Sequence, residues 1–313
     1  MITTMDGGAR FLQAAALLPP AMRRAAERLP PGKQSAAEEL RLRCGRPMTI
    51  AYRSEEETLP GCEGAAVTPA DLNQVLEIAT QASAHTALDR VRGGFFTVRG
   101  GHRIGICGSG VVKDGVVTNL RQFSSLSIRI ARPATGAAGQ VLDELTESGT
   151  LRSTLILSPP GWGKTTLLRD LIRVLSDGEG TPPLRVGVAD ERGELAAMYE
   201  GLPQFDVGRH TDVMDGCPKD VGLLMLLRGM NPQVLAADEI TAPADCVALE
   251  MAANCGVALL ATAHGENLDD LRTRPLYRKL LEQNIFRRLV TIGWQDGARR
   301  YQVKRLEAAA CSS

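Results

Sequence analysis

Leu155-Ile156-Leu157-Ser158-Pro159-Pro160-Gly161-Trp162-Gly163-Lys164-Thr165-Thr166-Leu167-Leu168-Arg169 is the stretch of this 313-residue sequence whose reading decides the fold. A short apolar run bounded by proline and glycine reads as a buried strand, and Gly-Lys-Thr before an apolar-periodic segment reads as the opening of a helix. Phosphate binding needs backbone N–H groups converging on one concavity with a helix N-terminus behind them, and glycine lets the backbone approach closely. In such a loop Pro160, Gly161, Trp162, Gly163, Lys164, Thr165 and Thr166 contact a nucleotide. Lys164 reaches the β- and γ-phosphates, and the Thr165 hydroxyl ligates Mg²⁺. The consensus G-x-x-x-x-G-K-[ST] places glycine where this chain has Ser158, which fits the turn if its φ is negative, with Pro159-Pro160 stiffening the loop. Trp162 is expected at the exposed lip of the site.

Downstream, buried runs alternate with helical segments: TLILS, LRVGVAD, VLAAD and VALLATA, with helices from Thr165 and around 219–229 and 244–254. Alternation of this kind implies a mostly parallel sheet covered on both faces. Three of these strands end in chemistry. Val234 to Asp238-Glu239 closes in two acids about 75 residues after Lys164. At the carboxyl edge of a parallel sheet Asp238 orients Mg²⁺ through water and Glu239 polarises the attacking water. Alone, acids at a strand end are common at solvent; the phosphate loop in the same pattern gives them weight. His264 follows the strand 257–263; a lone histidine is ordinarily structural, and past a strand edge in this pattern a neutral imidazole is also placed to report the γ-phosphate or the water to the next subunit. The strand ending in Asp190-Glu191-Arg192 leaves two readings open: an acidic pair beside the metal and water, or acids neutralised by Arg192 at the surface. RRLVTIGW and RRYQVKRL read as a closing hairpin turning at Asp296-Gly297.

Upstream, residues 9–29 read as two helices broken at Pro19-Pro20, 39–52 as a hairpin, and Thr68-Pro69 as a helix start. Residues 93–130 form a glycine-punctuated β-meander, and 132–149 a Pro/Gly/Ala-rich connection. The expected organisation is an α+β N-terminal domain over 1–135, a linker over 136–150, and a RecA-like α/β P-loop NTPase domain over 151–313. Lys plus Arg and Asp plus Glu number 36 each, so no global field attracts nucleic acid or an anionic membrane. Seven scattered cysteines lack any CxxC pair, which suits a reducing cytosol and gives no structural zinc. Aromatic content of 4% leaves few platforms for stacking bases. The sequence offers no signal peptide and no span of roughly 20 apolar residues, so a cytoplasmic protein reaching a membrane through partners is expected.

Six ordered blocks, GGFFTVRGGHRIGICGSGV (93–111), SSLSIRIAR (124–132), SPPGWGKTTLLRDLIR (158–173), ADERGELA (189–196), LLRGMNPQVLAADEI (226–240) and ATAHG (261–265), carry a resemblance. Across roughly 40–300 the chain resembles the stage III sporulation protein AA family, sporulation ATPases related to the type II/type IV secretion ATPases. The resemblance implies an oligomeric ring, expected to be a hexamer, using ATP and Mg²⁺. It implies an acidic box at Asp190 and Glu191, an essential glutamate at Glu239 and a histidine box at His264, whose strand lies between those of the phosphate loop and Asp238. It further implies arginines donated in trans from the N-terminal domain, for which Arg103, Arg121, Arg129 and Arg132 are available and Arg121 and Arg129 are chosen. Arg228 is placed either to touch phosphate or a subunit interface, or to cap its own helix.

The function implied is a motor powering assembly of, or transport through, a membrane-spanning sporulation complex, docking on the cytosolic face of its membrane proteins. A RecA-like ATPase acting on single-stranded nucleic acid is the alternative, as in plastid relatives with an added single-strand-binding domain. Residues 272–305 hold ten Lys/Arg against two Asp/Glu, which favours that alternative mildly, yet such a stretch is ordinarily a solvated face and the chain ends soon after the motor. Nucleic acid is therefore not the expected partner. A nucleotide-gated scaffold that scarcely hydrolyses ATP is the third reading, and Glu239 argues against it.

Overall fold

The computed structural model describes residues 7–53, 55–81, 94–132, 135–295 and 298–306. Its contacts divide the chain into an N-terminal unit, Met1–Arg132 with Ala197–Phe205, and a C-terminal unit, Pro133–Ala196 with Asp206–Ser313.

In the N-terminal unit, prolines set the helix starts. Pro20 opens the helix Pro20–Glu27 after Gly7–Ala15, and Pro31 opens a further short helix, Pro31–Ala36, that has too few turns to show an apolar period. The helix Pro69–Thr80 begins with a reciprocal cap: Asp71 N–H donates to Thr68 Oγ1 at 3.2 Å and Thr68 N–H donates to Asp71 Oδ2 at 2.8 Å. The sheet contains β1 (Glu39–Arg43), β2 (Thr49–Ala51), β3 (Glu56–Thr58), β4 (Phe95–Thr97), β5 (Arg103–Lys113) and β6 (Val116–Arg129), in the order β3-β2-β1-β6-β5-β4 with every pairing antiparallel. Alternate residues Leu40, Leu42, Ile50, Ile104 and Ile128 are fully buried and pack with Phe11, Leu72 and Val75. The segment 197–205 joins this unit: Gly100 N–H donates to Gln204 Oε1 at 2.8 Å, and Phe205 packs with Ala131 and Ala197.

The C-terminal unit contains the small pair β7 (Thr146–Glu147) and β8 (Thr150–Leu151). Its main strands are β9 (Thr154–Ser158), β10 (Val186–Asp190), β11 (Thr211–Asp215), β12 (Val234–Ala237), β13 (Ala258–His264), β14 (Arg288–Gln295) and β15 (Ala298–Arg305). The seven main strands run in the order β11-β10-β12-β13-β9-β14-β15, parallel except for the last hairpin pair. Every residue of β9, β10 and β12 is buried, as continuous apolar runs between helix layers require. The helices are Lys164–Asp177, Lys219–Gly229, Pro243–Asn254, Leu268–Thr273 and Pro275–Glu282. Edge strand β11 has no apolar run to announce it: Thr-Asp-Val-Met-Asp is at most half-buried.

The stretch 136–150, expected as a linker, is instead part of the C-terminal unit. It contains the helix Leu142–Leu145 and the β7–β8 pair. Ala138 N–H donates to the buried Asp170 Oδ2 at 2.8 Å, Arg288 Nε–H donates to the Glu144 carbonyl at 2.9 Å, and Arg288 also pairs with Glu147. Small and polar residues here fill the space against a helix and a strand that the local composition does not reveal. The turn expected at Asp296-Gly297 lies outside the described residues.

His102 yields a test of the N-terminal unit. Its ring is fully buried, Nδ1 accepts from Ala131 N–H at 3.1 Å, and burial together with nearby Arg10 pulls its pKa down to about 4. The unfolded chain binds a proton near the ordinary histidine value of about 6.5, and the folded one only near 4. The stabilising difference is therefore present above pH 6.5 and is lost as pH falls toward 4, roughly 3 kcal/mol in all. Urea denaturation between pH 7.5 and 4.5 is expected to show this loss in wild type and a flatter profile in His102→Gln.

Candidate active site

Parallel pairing of β13 with β9 on one side and β12 on the other aligns His264 with Ser158 and Ala237 with Ala261. The next residues past β12 are Asp238 and Glu239, so loop, acids and histidine leave the sheet at one carboxyl edge. Gly163 caps the helix Lys164–Asp177 with φ +97°, a conformation closed to side chains with a Cβ. Ser158 stays outside the positive-φ set, as the loop demands of a residue in that place, and Trp162 is half-buried.

Four side chains form a continuous polar chain across this edge. Lys164 is 4% exposed, and its Nζ donates to the carbonyls of Ser158 (3.1 Å) and Pro159 (3.2 Å) and to His264 Nδ1 (2.9 Å). His264 Nε2 lies 2.7 Å from Glu239 Oε1, and Arg192 donates to Glu239 Oε2 at 2.8 Å. An ammonium has only donors, so Nδ1 accepts and Nε2–H donates, which fixes the neutral Nε2–H tautomer. Burial pulls the Lys164 ammonium down, against the opposing pull of Asp238 and Glu239.

Asp238 is held by hydroxyls. Thr165 donates to its Oδ2 at 2.6 Å, Thr262 donates to its Oδ1, and burial pushes the carboxyl up. Thr165 Oγ1 and Asp238 Oδ2 thus present two hard oxygen donors at one point, a donor set that fits Mg²⁺ completed by phosphate and water. Thr262 also accepts from Glu239 N–H at 2.8 Å, and Glu239 adopts φ +52°, an uncommon conformation for a side chain of its size. One hydroxyl in the middle of an apolar strand therefore sets both acids. Thr262 went unnoticed in the sequence; its only signal is a polar residue interrupting Ala-Leu-Leu-Ala-Thr-Ala.

The Asp190-Glu191-Arg192 trio divides its tasks. Asp190 is 2% exposed and accepts from the backbone N–H groups of Glu194 (2.8 Å), Leu195 (3.1 Å) and Ala196 (2.8 Å), while burial pushes its carboxyl up. It organises the following turn, which Arg169 also grips by donating to the Glu194 and Leu195 carbonyls. Glu191 pairs with Lys219 at 2.7 Å, while Arg192 pairs with Glu239 at 2.8 Å and, more loosely, with Glu194 at 3.6 Å. Neither of the two readings left open for this trio describes it alone.

Arg228 lies in the last turn of the helix Lys219–Gly229 and lines a cavity with Arg152, Arg185 and the strand starts Val234 and Ala258. That is the edge opposite the phosphate loop, so within its own unit Arg228 does not meet phosphate. Arg121 and Arg129 both sit on β6 of the N-terminal unit. There Arg129 approaches Glu39 at 3.4 Å, Arg132 donates to the Ser35 and Ala37 carbonyls, and Arg103 stacks on Phe95. Arg121 is exposed and is the one of the four with no partner among the described residues.

Comparison with known proteins adds the lineage. The family model described as sporulation stage III, protein AA matches residues 11–304. The chain belongs to that family. A curated stage III sporulation protein AA of Bacillus subtilis is 37% identical over 286 residues, covering 91% of this chain and 92% of that protein. An uncharacterised protein ycf45 of Porphyra purpurea is 30% identical over 204 residues, 61% of this chain but 34% of its own length. In fold, the family member resembles the pilus retraction motor PilT bound to ADP, with TM-score 0.61, 15% identity, and coverage of 87% and 80% of the two chains. The ATPase DotB of Legionella pneumophila follows at TM-score 0.56 and 13% identity, with coverage of 86% and 76%. The mostly parallel α/β architecture is thus shared with PilT and DotB. Among the described residues no helix is long and apolar enough to cross a membrane.

Removing the Asp190 carboxylate takes the acceptor from three backbone N–H groups, those of Leu195 and Ala196 buried and that of Glu194 half-buried. Asp190→Ala is expected to lower stability by about 2–4 kcal/mol, read from the denaturant midpoint, as loss of a buried polar organiser should.

Proposed function

We propose that this protein is an ATP-hydrolysing motor whose catalytic centre is the Lys164–His264–Glu239 chain at the carboxyl edge of β9, β12 and β13. The observation that carries this reading is the direct link from phosphate-loop lysine through a neutral imidazole to Glu239. Lys164 and the amides of Gly161–Thr166 hold the phosphates. Thr165 and Asp238 would hold Mg²⁺, which when bound neutralises charge on the transferring phosphoryl group.

Glu239 is the general base. Its left-handed backbone aims the carboxylate along the sheet edge, where one oxygen meets His264 and the other Arg192. A phosphate drawing the Lys164 ammonium forward loosens its bond to His264 Nδ1, and the imidazole in turn relaxes its hold on Glu239. The carboxylate then takes a proton from the attacking water. Arg192 is a second cation within reach of developing charge. Arg121, without a side-chain partner among the described residues, is the better supported of the two arginines proposed to act in trans, since Arg129 has Glu39 beside it.

The likeness in fold to the pilus motor PilT and the ATPase DotB supports a homo-oligomeric, hexameric ring. Family membership supports work at a membrane-spanning sporulation complex, with the ring cytoplasmic and docked on its membrane proteins. The nucleic-acid alternative rested on the basic stretch 272–305. Arg272 pairs there with Asp269, Arg274 with Asp270, and Arg288 with Glu147, so its field is weaker than the sequence count suggests.

Glu239→Gln is expected to reduce ATP turnover by at least ~100-fold while leaving ADP affinity within a few-fold of wild type, as loss of a general base does. Full turnover in the assembled variant would remove Glu239 from that role. The ATPase rate is also expected to be indifferent to single-stranded DNA and RNA; strong stimulation by either would replace transport with nucleic-acid work.

A further inference from the structure

The C-terminal hairpin β14–β15 has no part in the chemistry above, yet β14 pairs in parallel with the phosphate-loop strand, Thr291 opposite Leu157. Its far end therefore runs out beside the loop. Across the hairpin Trp294 faces Arg299, whose guanidinium carbon lies 5.7 Å from the indole centroid. A Cβ built on Gly163 would stand 2.8 Å from that guanidinium carbon and 3.0 Å from Nε and Nη2. The arginine thus lies directly over the residue preceding Lys164. The Tyr301 hydroxyl lies near this guanidinium, whose charge opposes the upward push of burial on that hydroxyl. The Arg299 Nε–H is buried without a hydrogen-bond partner among the described residues.

An arginine N–H is rarely left so, because an unmet buried donor is destabilising and guanidinium groups form paired bonds with phosphate oxygens. Two independent features converge here: a helix N-terminus with loop amides that favour an anion, and a guanidinium with a spare donor held against the same glycine.

We propose that Arg299 is a phosphate-contacting residue of the nucleotide site, supplied in cis by the C-terminal hairpin, with Trp294 as the apolar wall behind it. The ligand class is a nucleoside di- or triphosphate, and the proposal rests on the phosphate-loop reading. Nothing in the loop motif announces it, since Arg299 follows Lys164 by more than a hundred residues in a run of basic residues that looks like a solvated face.

The test is equilibrium binding of fluorescent ADP to the full chain, with thermal midpoints recorded without nucleotide. Arg299→Gln is expected to weaken ADP by ~10- to 100-fold, and Arg299→Lys by less than ~10-fold, with unliganded midpoints close to wild type. In Trp162→Phe, where Trp294 is the remaining tryptophan, ADP is expected to change the emission, and adding Arg299→Gln should blunt that change. Wild-type ADP affinity in Arg299→Gln overturns this inference alone. So does an unliganded midpoint that drops in both variants while ADP affinity holds, since the arginine is then a packing residue. Failure of wild type to bind ADP, or equal binding by Lys164→Ala, overturns the site and this inference together.

Discussion

The register of β13 governs everything functional in the C-terminal unit. Because it lies between β9 and β12 and runs parallel to both, His264 comes level with Ser158 while Thr262 reaches Asp238 and the Glu239 amide. Side chains alternate along a strand, so a slip of one residue would turn Thr262 and His264 away and separate the phosphate loop from its acids. The covering helices contribute indirectly: by keeping β9, β10 and β12 dry, they hold the edge at which polar groups must satisfy one another.

Within that edge, polar groups are used economically. Asp238 and Glu239 are adjacent in sequence but face different partners, hydroxyls for one and imidazole plus guanidinium for the other. Two neighbouring carboxylates repel, and different partners let both sit side by side at this edge. The left-handed backbone at Glu239 is the local strain that separates them.

What was legible in the sequence follows from locality. Strand, glycine-bearing loop and helix occupy one short stretch, so their succession could be read directly, and the apolar alternation gave the parallel sheet. Asp190 and Asp238 read alike as acids closing buried strands. What parts them is the chain that follows: amides of Glu194, Leu195 and Ala196 fold back onto Asp190, whereas Asp238 faces Thr165 and Thr262. Such differences arise from tertiary return of the backbone, which no spacing records. The same holds for Thr262 and Arg299, and for residues 136–150, whose small side chains suit a flexible connection as well as a tight fit against Asp170.

Segment 197–205 leaves the C-terminal unit immediately after the Asp190 turn, lends Phe205 and Gln204 to the N-terminal unit, and returns. Neither unit is therefore encoded by one uninterrupted stretch. Cutting the chain at 132 would strip the N-terminal piece of the ring that packs on Gly101 and leave the other piece trailing an apolar loop with nothing to cover it. Exchanging either unit between related chains has to transplant two segments at once.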